Sequence, residues 1–133
     1  MRSARDATAI GIEPKVERRA LATRNAIALG APRFKVIDGS APTALSGLDA
    51  PDAVFVGGGL SAEVFETCWQ ALRPLGRFVT NAVTLESEAV LRDLYAQHGG
   101  QLIRLSVERA APVGRLTGWR PAMTVTQWSL VKR

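Results

Sequence analysis

Glu13 stands at the end of a short apolar run and directly before Pro14. An acidic side chain at the carboxyl tip of a parallel strand can accept both hydroxyl hydrogens of a ribose. Pro14 fixes the turn there and offers an apolar face to a base. The alternative for Glu13 is a glutamate at a helix N-terminus, favoured by the helix dipole. A second run ends in Asp38-Gly39-Ser40-Ala41-Pro42, whose small residues leave backbone N–H groups open to the edge of an adenine. A third ends in Gly57-Gly58-Gly59, where backbone or ligand can approach closely. A tight strand-to-helix turn would use the same glycines. Small or acidic residues at three successive strand ends predict one continuous nucleotide-binding groove.

A second chemistry lies in the charge. The chain carries a formal +5, with 17 Lys and Arg against 12 Asp and Glu. Residues 1–103 balance, so the whole excess lies in Arg104, Arg109, Arg115, Arg120, Lys132 and Arg133 against Glu108. Such a patch fits an anionic partner, whether phosphate, nucleic acid or polycarboxylate. Solvated surface charge is the other reading, above all for Lys132 and Arg133 at the terminus. Cys68 lies one helical turn from Phe65 and Leu72 and reads as core, not as a nucleophile. Neither a catalytic nucleophile nor a metal-ligand cluster stands out, and no metal is expected.

These groups need a scaffold. At 133 residues the chain suits one domain with a real core. No apolar run approaches the roughly 18 residues of a membrane span, and no secretory pattern opens the sequence. One cysteine excludes an internal disulfide, so a cytoplasmic setting without membrane contact is expected. Residues 8–12 read as a strand. Residues 15–29 form a helix with Val16, Ala20 and Ile27 on one face and Leu21 and Ala28 beside them, stopped by Gly30 and Pro32. Phe34 to Ile37 is a second strand, followed by a helical turn through Leu45.

Ala53 to Val56 shows no alternation, as expected of a strand buried on both faces. Ser61 caps the next helix, with Glu63 in its first turn and Ala62, Phe65, Trp69 and Leu72 along one side. Residues 77–81 form a strand. Thr84 caps a helix reaching His98, with Glu86 and Glu88 in its first turn and Val90, Leu91 and Leu94 facing inward. His98 is expected to meet the carbonyls at that helix's C-terminus. Residues 102–107 and 124–131 are two last strands, joined by a Pro/Gly/Arg-rich loop. The order predicts an α/β sheet with helices on both faces.

Ile10-Gly-Ile-Glu-Pro14, Asp38-Gly-Ser-Ala-Pro42, Asp52-Ala-Val-Phe-Val-Gly-Gly-Gly59 and Leu72-Arg-Pro-Leu-Gly-Arg77 fall in the order and spacing of class I S-adenosylmethionine-dependent methyltransferases. More narrowly, Asn81-Ala-Val-Thr-Leu-Glu86 and the stretch from Arg109 to Met123 resemble the C-terminal methyltransferase/decarboxylase domain of precorrin-6Y C5,15-methyltransferases. The resemblance implies a Rossmann-like sheet, mostly parallel with an antiparallel C-terminal strand, spanning residues 1–133 as one partial domain.

It also implies S-adenosylmethionine as cofactor, held by Glu13, Pro14, Gly39, Ser40, Ala41, Gly57 and Gly58. A precorrin would be the substrate, methylated at C15 with loss of carbon dioxide from the C12 acetate. Asn81, Glu86, Arg109, Arg115, Trp119 and Arg120 would face it, the arginines pairing with carboxylates and Trp119 lying against the macrocycle. A homo-oligomer and a fused N-terminal methyltransferase domain are further expectations. Nucleic acid is not expected as a partner; a nucleic-acid methyltransferase, or a catalytically silent interaction or oligomerisation module, is the alternative class.

The family opens its fold with a strand and a glycine-rich loop, about 20 residues before the ribose acid in the related dinucleotide fold. Here twelve residues precede Glu13, with Gly11 the one glycine among them. The resemblance therefore predicts a sheet lacking that strand and loop, and a chain that alone binds the cofactor weakly and does not turn over. Residues 1–6 resemble the tail of the helix after that loop.

Overall fold

The structure, a computed structural model, describes residues 6–133. The helix tail expected at residues 1–6 thus falls almost wholly outside the described residues. The chain divides into two compact units, one through Leu48 and one from Asp49 to Arg133.

The first unit is a β-α-β turn of chain. Strand β1 (Ala9–Ile12) and strand β2 (Phe34–Ile37) pair in parallel, Ala9 opposite Phe34 and Ile12 opposite Ile37. Helix α1 (Val16–Ala28) connects them, and a short 3₁₀ turn spans Thr43–Leu45. Gly30 ends α1 with φ +69°, the conformation a glycine tolerates best. The expected inner face of α1 is not the one observed. Val16 is 61% and Ile27 75% exposed, and Ala20, Leu21 and Ala28 are exposed as well. The partly covered side carries Arg19, Ala22 and Ala26, at helical spacing. Small side chains there let the helix lie close, and Arg19 has polar work to do across it.

The second unit holds the core. Strand β3 (Ala53–Val56) pairs in parallel with β4 (Arg77–Ala82). Strand β8 (Val125–Val131) lies antiparallel between β4 and β5 (Gln101–Leu105), giving the order β3-β4-β8-β5. The mixed sheet with its antiparallel C-terminal strand is as expected. The burial of β3 on both faces is not: β3 is an edge strand in this sheet, and Phe55 is 62% exposed.

Helices α2 (Ala62–Ala71) and α3 (Leu85–His98) begin at the caps the sequence predicts. Val64 N–H donates to Ser61 Oγ at 3.1 Å and Ser87 N–H to Thr84 Oγ1 at 3.2 Å. Both helices cover one face of the sheet, the face carrying Phe78, Thr80, Ala82, Thr126 and Trp128. Within this unit the helical layer is one-sided.

Phe65 is the hub. Its ring lies 5.6 Å from Trp69, 5.2 Å edge-on to Phe78, 4.9 Å from His98 and 5.3 Å from Trp128. Offset and edge contacts of this kind add to the burial of large rings. His98, expected to meet carbonyls, lies in the last turn of α3 with its ring against Phe65. Trp128 Nε1–H donates to Gly99 O at 2.7 Å, which satisfies the one polar atom of a wholly buried indole. Leu91, Leu94 and Cys68 are buried as expected, while Val90 is half-buried. Burial pushes the Cys68 thiol up from its ordinary value, away from nucleophilic chemistry.

Residues 108–121, expected as a loop, form a hairpin. Strands β6 (Glu108–Val113) and β7 (Leu116–Pro121) pair antiparallel around Gly114-Arg115. Gly114 has φ +59°, and glycine at the first of two turn positions matches a tight hairpin turn. The Pro, Gly and Arg content hid a regular ribbon.

Candidate functional site

The candidates for the cofactor follow the carboxyl ends of β1, β2 and β3, and those for the substrate lie on β4, α3 and the β6–β7 hairpin. In the first unit Arg19, which the sequence reading did not single out, organises two of those strand ends. Its Nη1 donates to Glu13 O at 2.9 Å, Pro14 O at 2.8 Å and Asp38 Oδ1 at 2.7 Å. One guanidinium from the first turn of α1 thus ties the end of β1 to the end of β2. The signal available in the sequence was a cation one turn after Glu13-Pro14.

Glu13 accepts the Lys15 N–H on Oε1 at 3.0 Å. That bond is the helix-start role that stood as the alternative reading. Gly39 has φ +147°, and a Cβ there would come within 2.6 Å of the Ala44 Cβ. The fold itself therefore demands glycine at 39. Ser40 and Ala41 are exposed beside it.

The glycine run follows β3 in the second unit. Gly59 has φ +72°, so the turn into α2 requires it. Gly57 and Gly58 are different. A Cβ on Gly58 would meet nothing within 4 Å, and one on Gly57 only the edge of Phe55 at 3.3 Å. Neither has a positive φ. Local packing thus gives no reason for glycine at 58, whereas a ligand approaching the backbone would.

At the carboxyl end of β4, Asn81 Oδ1 accepts from Gln127 Nε2 at 2.9 Å, directly across the β4–β8 pairing. Glu86 is exposed. Its neighbour in the same turn, Glu88, is the engaged acid. Glu88 Oε1 lies 2.6 Å from Arg104 Nη2, and Thr126 Oγ1 donates to Glu88 Oε2 at 3.0 Å. The clip joins the start of α3 to β5 and β8. Sequence reasoning missed it because its members are 16 and 38 positions apart.

Two of the C-terminal cations therefore have structural partners. Arg104 belongs to that clip. Lys132, read as solvated surface charge, caps α2: its Nζ donates to Trp69 O and Leu72 O at 2.7 Å and lies 5.9 Å over the Trp69 ring. Arg109, Arg115 and Arg120 on the hairpin form no ion pair among the described residues and are exposed. Trp119 is 73% exposed. It lines a concavity of about 480 Å³ with Ser106, Val107, Glu108, Pro121, Ala122 and Thr124.

A mixed sheet with glycine at the β3 carboxyl end and an antiparallel last strand is the architecture of Rossmann-like methyltransferases. The sequence profile of the precorrin methyltransferase domain matches residues 1–132, and the chain belongs to that family. It is 53% identical over 125 residues to the precorrin-6Y C(5,15)-methyltransferase (decarboxylating) of a Sinorhizobium species, covering 93% of this chain and 30% of that protein. The chain thus spans about a third of the length of the curated relatives it matches.

The crystal structure of the C-terminal domain of precorrin-6Y C5,15-methyltransferase from Rhodobacter capsulatus superposes with a TM-score of 0.85 at 44% identity, over 94% of this chain and 68% of that one. A putative precorrin-6Y C5,15-methyltransferase targeted domain from Corynebacterium diphtheriae superposes at 0.88 with 39% identity, over 99% and 78%.

Proposed function

We propose that this chain is the methyl-transferring domain of a decarboxylating precorrin methyltransferase in cobalamin biosynthesis. It would methylate C15 of the macrocycle and release the carboxyl group of the C12 acetate as carbon dioxide, a proton replacing it so that a methyl group remains on C12. The observation that carries this reading is the family match across residues 1–132, joined to a glycine at 58 that local packing does not require. S-adenosylmethionine supplies an electrophilic methyl group on a sulfonium centre. Glu13, Pro14, Gly39, Ser40 and Ala41 would hold its nucleoside end, and Gly57 and Gly58 would lie under its methionine end.

An electron-rich ring carbon is the nucleophile, so the chain's tasks are positioning and exclusion of water. No activated Ser or Cys is called for, and Cys68 is spent in the core. Asn81 and the β6–β7 hairpin would meet the substrate. Glu86 is the carboxylate left free for a proton transfer, because Glu88 is held by Arg104 and Thr126. Assembly of several copies in the cytoplasm, beside a second methyltransferase domain, completes the proposal.

Titration with S-adenosylmethionine of this chain within a full-length precorrin methyltransferase domain tests it. Glu13→Ala should weaken binding about tenfold or more, since a charge-assisted hydrogen bond contributes roughly 1.5–3 kcal/mol. Unchanged affinity would remove Glu13 from the cofactor site.

A further inference from the structure

The hairpin has two faces of different chemistry. Residues opposite each other on an antiparallel pair share a face, and successive residues alternate. Arg109 faces Arg120, Ala111 faces Gly118 and Val113 faces Leu116, all on one side. Glu108, Ala110 and Pro112 stand on the other, opposite Pro121, Trp119 and Thr117. The concavity at the hairpin base confirms the division. Glu108, Trp119 and Pro121 line it, and Arg109 and Arg120 do not. Val113 folds over Gly118, where a Cβ would meet Val113 Cγ2 at 2.9 Å. With Leu116 it puts exposed apolar surface on the same face as the two arginines, at the turn end beyond the Ala111–Gly118 pair.

We propose that Arg109 and Arg120 form one two-armed clamp for a pair of carboxylates on a flat, apolar substrate. Its ring lies on the Val113–Leu116 surface, and Trp119 on the reverse face takes no part. This rests on the tetrapyrrole reading and narrows it. Three observations carry the clamp. With Arg104 and Lys132 assigned to structural partners, the hairpin arginines are the chain's unengaged C-terminal cations short of the terminus. Of the three, Arg109 and Arg120 are direct cross-strand neighbours, with Cβ atoms about 4.5–5.5 Å apart in such pairs. Like charges placed so are destabilising by themselves, and an anion between them reverses the sign. Arg115 occupies the turn, outside the pair. The reverse face carries Glu108 next to Trp119 and repels a carboxylate.

Fluorescence titration of the chain with uroporphyrin I, an octacarboxylate tetrapyrrole, tests the clamp, with its octamethyl ester and inorganic phosphate as controls. Arg109→Gln and Arg120→Gln should each weaken uroporphyrin binding about tenfold. Arg115→Gln should change it less than about twofold, through the general field alone. Arg120→Lys keeps the charge but not the fork, and should also weaken binding severalfold. The ester should not bind, and phosphate should not compete at concentrations comparable to the probe.

Removing one of the opposed charges should leave the melting temperature of Arg109→Gln unchanged or raised, which excludes misfolding as the cause of a loss. Equal losses at all three arginines, or full affinity in Arg120→Lys, would overturn the clamp and leave the polycarboxylate reading standing. Displacement by dilute phosphate would reassign the pair as a general anion site. A wild-type chain that ignores uroporphyrin would overturn both clamp and substrate reading.

Discussion

The two units reach order by different physics. In the second, Phe65, Phe78, Trp128, Leu72 and Leu91 are almost wholly removed from solvent, and the Trp128 indole nitrogen, the N-caps of α2 and α3 and the C-terminal end of α2 have partners. In the first, no described residue is fully buried, and the geometry of the strand tips rests on Arg19 and its three acceptors. The candidate residues at the ends of β1 and β2 thus hang on a polar tether, and the glycine run after β3 belongs to a unit with a dry aromatic core. Segments that bind and release ligands are commonly drawn from the less stable parts of a structure. The contrast teaches that the strand ends of the two units should respond to different substitutions.

The largest effect should come from the aromatic hub. Phe65→Ala removes a ring that touches four others and should cost about 3–5 kcal/mol in denaturant unfolding of the second unit. Ile27→Ser on α1, by comparison, should stay within about 0.5 kcal/mol, as exposed substitutions usually do. If the two costs proved similar, the contrast between the units would fail.

Thr80→Val comes next. The Thr80 hydroxyl is buried and donates to Val56 O at 3.0 Å, holding β3 to β4. The change keeps shape and strands an acceptor, so about 1–3 kcal/mol should be lost. In the first unit the matching test is Arg19→Met. Releasing Glu13 O, Pro14 O and Asp38 together should cost roughly 1–2 kcal/mol and speed amide exchange in β1 and β2. Exchange left unchanged there would mean that the tether does not set the strand tips.

Where the sequence was legible, local chemistry was the reason. Ser61 and Thr84 were readable as caps because a cap is decided within three residues, and Cys68 as core because its helical neighbours are apolar. The family and the mixed sheet were legible from motif order. What escaped depends on distance in sequence. The inner face of α1 was misread because apolar residues were assumed to point inward, whereas Ala22, Ala26 and a hydrogen-bonding Arg19 do so. The hairpin was hidden by Pro112 and Pro121, which read as loop residues but sit in a regular pairing, and by Gly114, which makes its turn. Lys132 and Arg104 looked like surface charge because their partners, the end of α2 and Glu88, are brought to them only by the sheet.

The smallest expected change in stability is the one most informative about function, and it separates two adjacent glycines. Gly59→Ala forces an alanine to φ +72°, where a Cβ crowds its own carbonyl oxygen, and should cost about 1–2 kcal/mol. Gly58→Ala places a methyl group in open space at an ordinary φ and should leave unfolding unchanged within about 0.5 kcal/mol, even gaining slightly from a stiffer unfolded chain. If Gly58 serves as the floor beneath the cofactor's methionine end, that same methyl group should lower S-adenosylmethionine affinity about tenfold or more while the fold stays intact, because the ligand can no longer approach the backbone. Loss of binding with unchanged stability marks a site, whereas loss of both marks a turn. A Gly58→Ala protein that binds the cofactor as well as the wild type would remove Gly58 from the cofactor site.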